Sequence, residues 1–312
     1  MTLGDHVTQA FGLPIKHYTI GTPITEPAKW AYRFAEDSYG KDDSSWEEKF
    51  SAFLHDPLAA EVTTIVMGMW DSELLDEGSE GIIETLCAAN TQLPNLEALF
   101  IGDITYDESE ISWINLPDVS PLFAAYPRLE HFRIRGGQGL SFGTTLRHSQ
   151  LRSLIVETGG LPRDVLHDLW RSELPALEHL ELWLGSENYG GNATIEDLAP
   201  LLSGDLFPRL HSLGLRDSEF EDDIATMLTL SPLMDRLLDL DLSLGTLGDE
   251  GAQALLDCPA ILKLQKLDLH HHFCSAEMIA RLQALPITVD VSEAELTNTD
   301  MDERERYIAV SE

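Results

Sequence analysis

Residues 237–256 read LLDLDLSLGTLGDEGAQALL. Leu237, Leu240 and Leu242 follow the pattern L-x-x-L-x-L. Successive side chains of a strand point to opposite faces, so Leu240 and Leu242 share one face and Asp241 takes the other. The second half of the stretch changes period. Ala252, Leu255 and Leu256 are spaced as one face of a helix. The stretch is therefore one strand–turn–helix unit with a leucine face on each element. Such a unit cannot bury its own apolar surface and needs similar units stacked against it.

The chain supplies them. Leu96, Leu99 and Ile101 repeat the pattern, as do Leu129, Phe132, Ile134 and Leu151, Leu154, Val156. Leu177, Leu180, Leu182, then Leu210, Leu213, Leu215, then Leu264, Leu267, Leu269 continue it. Val62, Ile65, Met67 make a first copy and Ile287, Val289, Val291 a degenerate last one. Neighbouring copies are roughly 22 to 34 residues apart, in the range of known solenoid repeats. The longer gaps hold a helix: Val165, Leu166, Leu169 and Trp170 lie at helical spacing. Pro94, Pro127, Pro175 and Pro208 stand just before strands, where they stop the preceding helix. The expected fold is an α/β solenoid, a horseshoe with a parallel concave sheet and convex helices. Its core grows in one dimension because each repeat touches only its neighbours.

Composition sets the partner class. Against 20 Lys and Arg the 312-residue chain carries 54 Asp and Glu, a formal net charge of −34. Such a surface repels nucleic-acid phosphates and anionic membranes and favours a basic partner, if it does more than confer solubility. The opening MTLGDHVTQAFGLP has no basic start followed by an apolar run, so no signal peptide is expected. No stretch reaches the length of apolar residues that a membrane span needs. Cys87, Cys258 and Cys274 are too few and too scattered for a disulfide framework or a four-thiol zinc site. The expected setting is the cytoplasm.

In the seventh copy, Gly248, Asp249, Glu250, Gly251 and Ala252 open the helix, with Asp249 placed as its N-cap. The stretch resembles the ribonuclease-inhibitor subtype of leucine-rich repeat. The other copies match that subtype less closely and vary in length. From about Phe11 onward the chain also resembles free-standing bacterial leucine-rich-repeat proteins without a catalytic domain. The likeness lies in GDITYDESEISWI, LEHLELWLGSENYGGNATIEDLAPLL, LGLRDSE and LDLHHHF. Members of that group look as if encoded beside biosynthetic or modifying enzymes, including radical-SAM and ATP-grasp types. The resemblance implies a cytoplasmic scaffold or adaptor and transfers no catalytic residue.

Two regions lie outside the regular array. Residues 1–60 hold a strand-like Ile15 to Ile20, a mixed Trp30 to Phe34, a polar Ser38 to Ser45 and a helix from Ser45 to His55. A solenoid end exposes raw core, and this region is expected to cap it. The solenoid proper is then 61–292. Residues 293–312 are polar and acidic, expected as a mobile tail unless Tyr307, Ile308 and Val310 dock.

Alternation also lays out the surface. The outward residue between the paired apolar positions runs Val66, Phe100, Arg133, Ile155, Glu181, Gly214, Asp241, Asp268, Asp290. The next outward column runs Gly68, Gly102, Arg135, Glu157, Trp183, Arg216, Ser243, His270, Ser292. Asp241, Asp268 and Asp290 form a ladder of like charges, which destabilises a sheet unless offset. Lys266 and His270 offer local compensation; a basic partner and a divalent cation follow in that order. Trp183 is expected exposed between Glu157 and Arg216, a hot-spot candidate, unless the loop Gly185 to Gly191 folds over it. Arg135 facing Glu157 reads as a surface ion pair. The expected partner-binding residues are Phe100, Arg133, Arg135, Glu157, Glu181, Trp183, Arg216, Asp241, Asp268, His270 and Asp290.

Neither a catalytic nor a metal residue is expected. His270, His271 and His272 read as a polar turn with one histidine buried, because three adjacent residues of a strand cannot converge on one ion. Asp103, Asp107, Glu108 and Glu110 lack the glycine and terminal glutamate of a calcium loop and read as a solvated insertion. No G-x-S-x-G, phosphate-binding glycine loop or H-E-x-x-H occurs. The double glycines Gly136-Gly137, Gly159-Gly160 and Gly190-Gly191 read as sharp turns. The expected function is a scaffold or adaptor that binds a protein partner on its concave face and adjoining loops. The alternative is an inhibitor that mimics another acidic ligand and sequesters a basic protein; a hydrolase stands last. No cofactor, nucleic acid or membrane is expected.

Overall fold

The computed structural model describes residues 4–36, 44–70, 80–295 and 306–310. Among the described residues twelve strands follow chain order, and within each of two units neighbouring strands pair in parallel, except the first with the second, which pair antiparallel. The chain divides into two compact units, Thr2–Glu157 with Arg171–Ala176 and Thr158–Trp170 with Leu177–Ser311. The fold is the leucine-rich-repeat solenoid, a mixed α/β architecture with an open sheet.

The amino-terminal unit holds β1 (Gln9–Ala10), β2 (Leu13–His17), β3 (Ala31–Phe34), α1 (Trp46–Leu54), β4 (Thr64–Met67) and α2 (Glu80–Ala88). It continues with β5 (Ala98–Ile101), α3 (Ser120–Ala125), β6 (His131–Arg135) and β7 (Ser153–Glu157). Its register is the one the repeat dictates: Ile65 pairs with Leu99, Leu99 with Phe132 and Phe132 with Leu154. The parallel ladder also extends back to β3 and β2, with Tyr32 opposite Ile65 and Ile15 opposite Ala31. α1 is closed by a capping box, Ser45 and Glu48 each accepting the other's amide hydrogen. It packs Phe50 and Phe53 against Phe34, and Phe53 against Tyr18. Most of the polar stretch between β3 and α1 lies outside the described residues.

The carboxy-terminal unit holds α4 (Arg163–Trp170), β8 (His179–Gly185), α5 (Ala199–Leu202), β9 (Ser212–Ser218) and α6 (Glu221–Thr229). β10 (Asp239–Asp241), α7 (Asp249–Asp257), β11 (Lys266–Asp268), α8 (Ala276–Gln283) and β12 (Thr288–Asp290) complete it. Leu180, Leu213, Leu240, Leu267 and Val289 lie opposite one another on successive strands. α6 packs on α7 and α7 on α8. In the two units Leu99, Leu154, Leu180, Leu213, Leu240 and Leu267 are all buried.

The starts of α7 and α8 are held from the neighbouring repeat. Asp222 Oδ1 accepts the amides of Gly248 and Gly251 at 2.8 and 3.0 Å. Asp249 Oδ1 accepts the amide of Ser275 at 2.7 Å. Gly248, not Asp249, is thus the N-cap of α7. Repeat stacking carries the Asp249 carboxylate to the start of the next helix, where it meets unsatisfied amides.

At one fixed repeat position, four residues on from Leu213, Leu240, Leu267 and Val289, the backbone turns through the left-handed region. Asp217, Leu244, His271 and Glu293 have φ of 54°, 69°, 55° and 54°. Non-glycine residues adopt this conformation seldom and at some cost. Residues 306–310 run beside this row of turns. Of the two expectations for the tail, residues 306–310 follow the docked one: Ile308 and Val310 are buried, because the rim offers their backbone and side chains matching partners.

Candidate functional site

The outward face differs between the units. In the amino-terminal unit the register places Val66, Phe100 and Arg133 on adjacent strands. Phe100 nevertheless has no exposure. The hairpin β1–β2 folds back over the sheet, and Val7, Phe11, Leu13 and Ile15 pack against a cluster of Ala10, Ala31, Val66 and Phe100. The guanidinium of Arg133 sits 4.3 Å from the Phe100 ring centroid and that of Arg135 5.6 Å. Phe100 is therefore corrected from an exposed contact to a covered one: an apolar outward face is energetically costly, and the chain buries it itself.

Two buried ion-pair groups flank that cluster. Glu157 receives Arg135 Nε at 2.8 Å and Arg133 Nη2 at 2.6 Å. Arg135 also donates to the carbonyl of Ile104. The pair expected at the surface is nearly inaccessible, with Arg135 at 3 % and Glu157 at 2 % exposure. The second group corrects the solvated acidic insertion. Asp103 is fully buried, accepts Arg33 Nε at 2.7 Å and takes the amide of Val7 at 3.1 Å. His6 stands between Arg33, Asp103 and Glu108. Burial opposes ionisation of Glu108, but hydrogen bonds from His6 and Thr105 hold its carboxyl below the usual range. Only the far part of the loop is open, with Tyr106 and Trp113 exposed.

In the carboxy-terminal unit the column Glu181, Gly214, Asp241, Asp268, Asp290 is opposed strand to strand as the sequence reading requires. Each carboxylate has local partners. Glu181 accepts Arg216 Nη1 at 2.7 Å and the indole N–H of Trp183 at 2.8 Å. Burial opposes its charge, yet His179, Arg216 and Trp183 hold the carboxyl well below the usual range. Asp241 accepts Ser243 Oγ and lies 3.4 Å from Arg216 Nε; burial nonetheless pushes it up. Asp268 accepts Lys266 Nζ at 2.9 Å and His270 Nδ1 at 2.7 Å, which outweigh its burial and depress it strongly. Local compensation of the ladder is what the geometry contains.

Trp183 corrects a second expectation. It does point outward, opposite Arg216, but is only 4 % exposed. Arg216 lies over its ring at 5.1 Å and Glu181 holds its N–H, so the indole is roofed by its charged neighbours. The histidine run turns as expected, with two buried members instead of one. His271 contacts the Tyr307 carbonyl and His272 the Val291 carbonyl. The side chains of Asp268, His270 and Asp290 do converge, with potential ligand atoms within 4.8 Å of one another. Lys266 already supplies a cation there. Cys87, Cys258 and Cys274 are free, and burial pushes the Cys274 thiol up to about 12, which makes it a poor nucleophile.

Sequence reading took Asp103 for a solvated residue and missed Arg33, Asp217 and Glu221. The last two are fully buried acids, with Asp217 Oδ2 and Glu221 Oε1 lacking any hydrogen-bond partner. Burial raises both carboxyls well above the usual range. In sequence they are two more acids in an acidic chain, and only the left-handed turn at Asp217 sets them apart.

Fold and repeat register define a leucine-rich-repeat protein. The chain belongs to one family with a Bacteroides fragilis protein whose crystal structure is known. The two are 32 % identical, with a TM-score of 0.78, over 89 % of this chain and 76 % of that one. An internalin from Listeria monocytogenes is similar at 16 % identity and a TM-score of 0.39, over 78 % of this chain and 57 % of that one. No protein-family model matches the chain, and neither does any curated protein. Among the described residues no helix is long and apolar enough to cross a membrane.

Proposed function

We propose that this protein is a cytoplasmic interaction scaffold or adaptor without catalytic activity. It binds a basic protein partner through the outward face of its carboxy-terminal unit and the adjoining loops. The observation that carries this reading is the outward column of β8 to β12, in which Asp241, Asp268 and Asp290 stand on consecutive strands and Glu181 is separated from them by Gly214. Arg216 and Lys266 each offset part of this charge, leaving an acidic strip in which Glu181, Asp241 and Asp290 are half-buried and Asp268 is buried. Such a strip fits lysine or arginine side chains presented at strand spacing. The corresponding face of the amino-terminal unit is covered by its own hairpin, which favours the carboxy-terminal one. A cleft lined by Arg163, Glu187, Asn192, Thr194, Glu219 and Phe220 supplies the adjoining loop surface. Free cysteines agree with a reducing compartment.

A second reading, sequestration of a basic protein by charge mimicry, draws support from the net charge of −34. Parallel capture from native cytosol separates the possibilities, with the wild-type chain and an Asp241→Asn, Asp268→Asn, Asp290→Asn variant as baits. A scaffold enriches one partner that the variant loses at physiological salt. A charge mimic enriches many basic proteins. Equal enrichment by both baits removes the acidic strip from the account.

A further inference from the structure

We propose that the rim at the carboxy-terminal ends of β9, β10 and β11 is a binding groove for an extended peptide, and that residues 306–310 occupy it in cis. The inference concerns a surface at the strand ends and does not depend on the acidic strip.

The groove is built by repetition. Asp217, Leu244 and His271 stand at equivalent positions of three consecutive repeats, each with left-handed backbone. Each presents one polar group to the segment. Asp217 Oδ1 accepts the amide of Val310 at 2.9 Å. The Leu244 carbonyl accepts the amide of Ala309 at 2.8 Å. The His271 ring lies 3.1 Å from the carbonyl of Tyr307 through Nε2. These contacts read main chain, so they recognise an extended conformation more than a sequence.

Side chains add the selectivity. Along the segment Tyr307 is exposed, Ile308 buried, Ala309 exposed and Val310 buried, the alternation of a strand against a surface. Arg306 binds Asp222 Oδ2 at 2.5 Å and the Thr246 carbonyl at 2.9 Å. Tyr307 packs on His271 and Phe273 and donates its hydroxyl to Glu295. The ligand class is thus an extended segment with an arginine followed, two and four residues on, by aliphatic side chains.

The closed state is not fully satisfied. Asp217 Oδ2 remains without a partner although Oδ1 is engaged, and Glu221 beside it has an orphaned oxygen as well. Buried polar atoms without partners weaken the state that contains them. A competing segment that also gives Asp217 Oδ2 a hydrogen-bond partner would be held more tightly than residues 306–310.

The test uses a chain ending at Glu295 and a fluorescent peptide with the sequence of residues 305–312, ERYIAVSE, followed by anisotropy. The expected result is saturable binding to the shortened chain and at least tenfold weaker binding to the full chain, whose own segment competes. A peptide with Ile308→Asp and Val310→Asp should also bind at least tenfold more weakly. No saturable binding by a shortened chain that still melts cooperatively overturns the proposal, as does equal binding of the two peptides. If the shortened chain does not fold, the same titration is run on the full chain with Ile308→Asp and Val310→Asp. Failure of that variant to fold or to bind makes the segment a fixed structural cap and ends the proposal.

Discussion

Individual carboxyls in the carboxy-terminal unit are tuned in opposite directions. Asp217 and Glu221 are pushed up by burial, as is Asp241 more mildly. Their stabilising contribution is present below the ordinary carboxylate range and is lost as pH rises through the raised values. Glu181 and Asp268 are depressed by their partners, so their contribution is present above the ordinary range and is lost as pH falls through the lowered values. Thermal melts between pH 2 and 9 should therefore pass through a maximum near the ordinary carboxylate range, about pH 4. Asp217→Asn with Glu221→Gln should flatten the alkaline decline, since Asn keeps an acceptor for the Val310 amide. An unchanged decline in that double variant would remove these two acids from the explanation. Trp183→Ala is a second residue-scale case. Roofed by Arg216, Trp183 should behave as a core side chain, and its truncation should cost about 3–5 kcal/mol in denaturant unfolding. A loss below about 1 kcal/mol would restore the exposed reading. Alternation places Trp183 and Phe100 on the outward side correctly but is silent on what lies above them. That depends on Arg216 and on a hairpin distant in sequence.

At the scale of elements, the repeat was legible because burial and period coincide. Leu213, Leu240 and Leu267 occupy one register position and one core, and Leu213→Ala should cost about 2–5 kcal/mol by transfer and cavity terms. Helices α4 and α7 were legible for the same reason. The strands before residue 60 were harder to read. β3 has the sequence AYRF, with a charged residue at an outward position, and its partner Asp103 lies 70 residues away. β2 shows no apolar alternation strong enough to set its register, and Pro14 interrupts it. We propose that residues 1–60 cap the sheet and shield its outward face at that end. Deletion of residues 1–11 should then uncover Val66 and Phe100 and raise binding of an apolar dye while β4 to β7 persist. Unchanged dye binding would mean that the hairpin covers nothing of consequence.

At the scale of the whole molecule, the proposed function has the net charge of −34 steer a partner's approach and the ordered strip hold it. Long-range attraction is screened over about 8–10 Å at physiological salt, whereas close charge pairs persist. The central claim is that the strip of Glu181, Asp241, Asp268 and Asp290 is the binding surface. It is tested by the association and dissociation rates of the captured partner, measured at two salt concentrations with the wild-type chain and with Asp268→Asn. The account predicts that Asp268→Asn slows association several-fold at low salt, that raised salt shrinks this difference, and that the variant still melts cooperatively, at a lower temperature because the charged contacts to Lys266 and His270 are lost. Identical association rates for the two chains at both salt concentrations would contradict it.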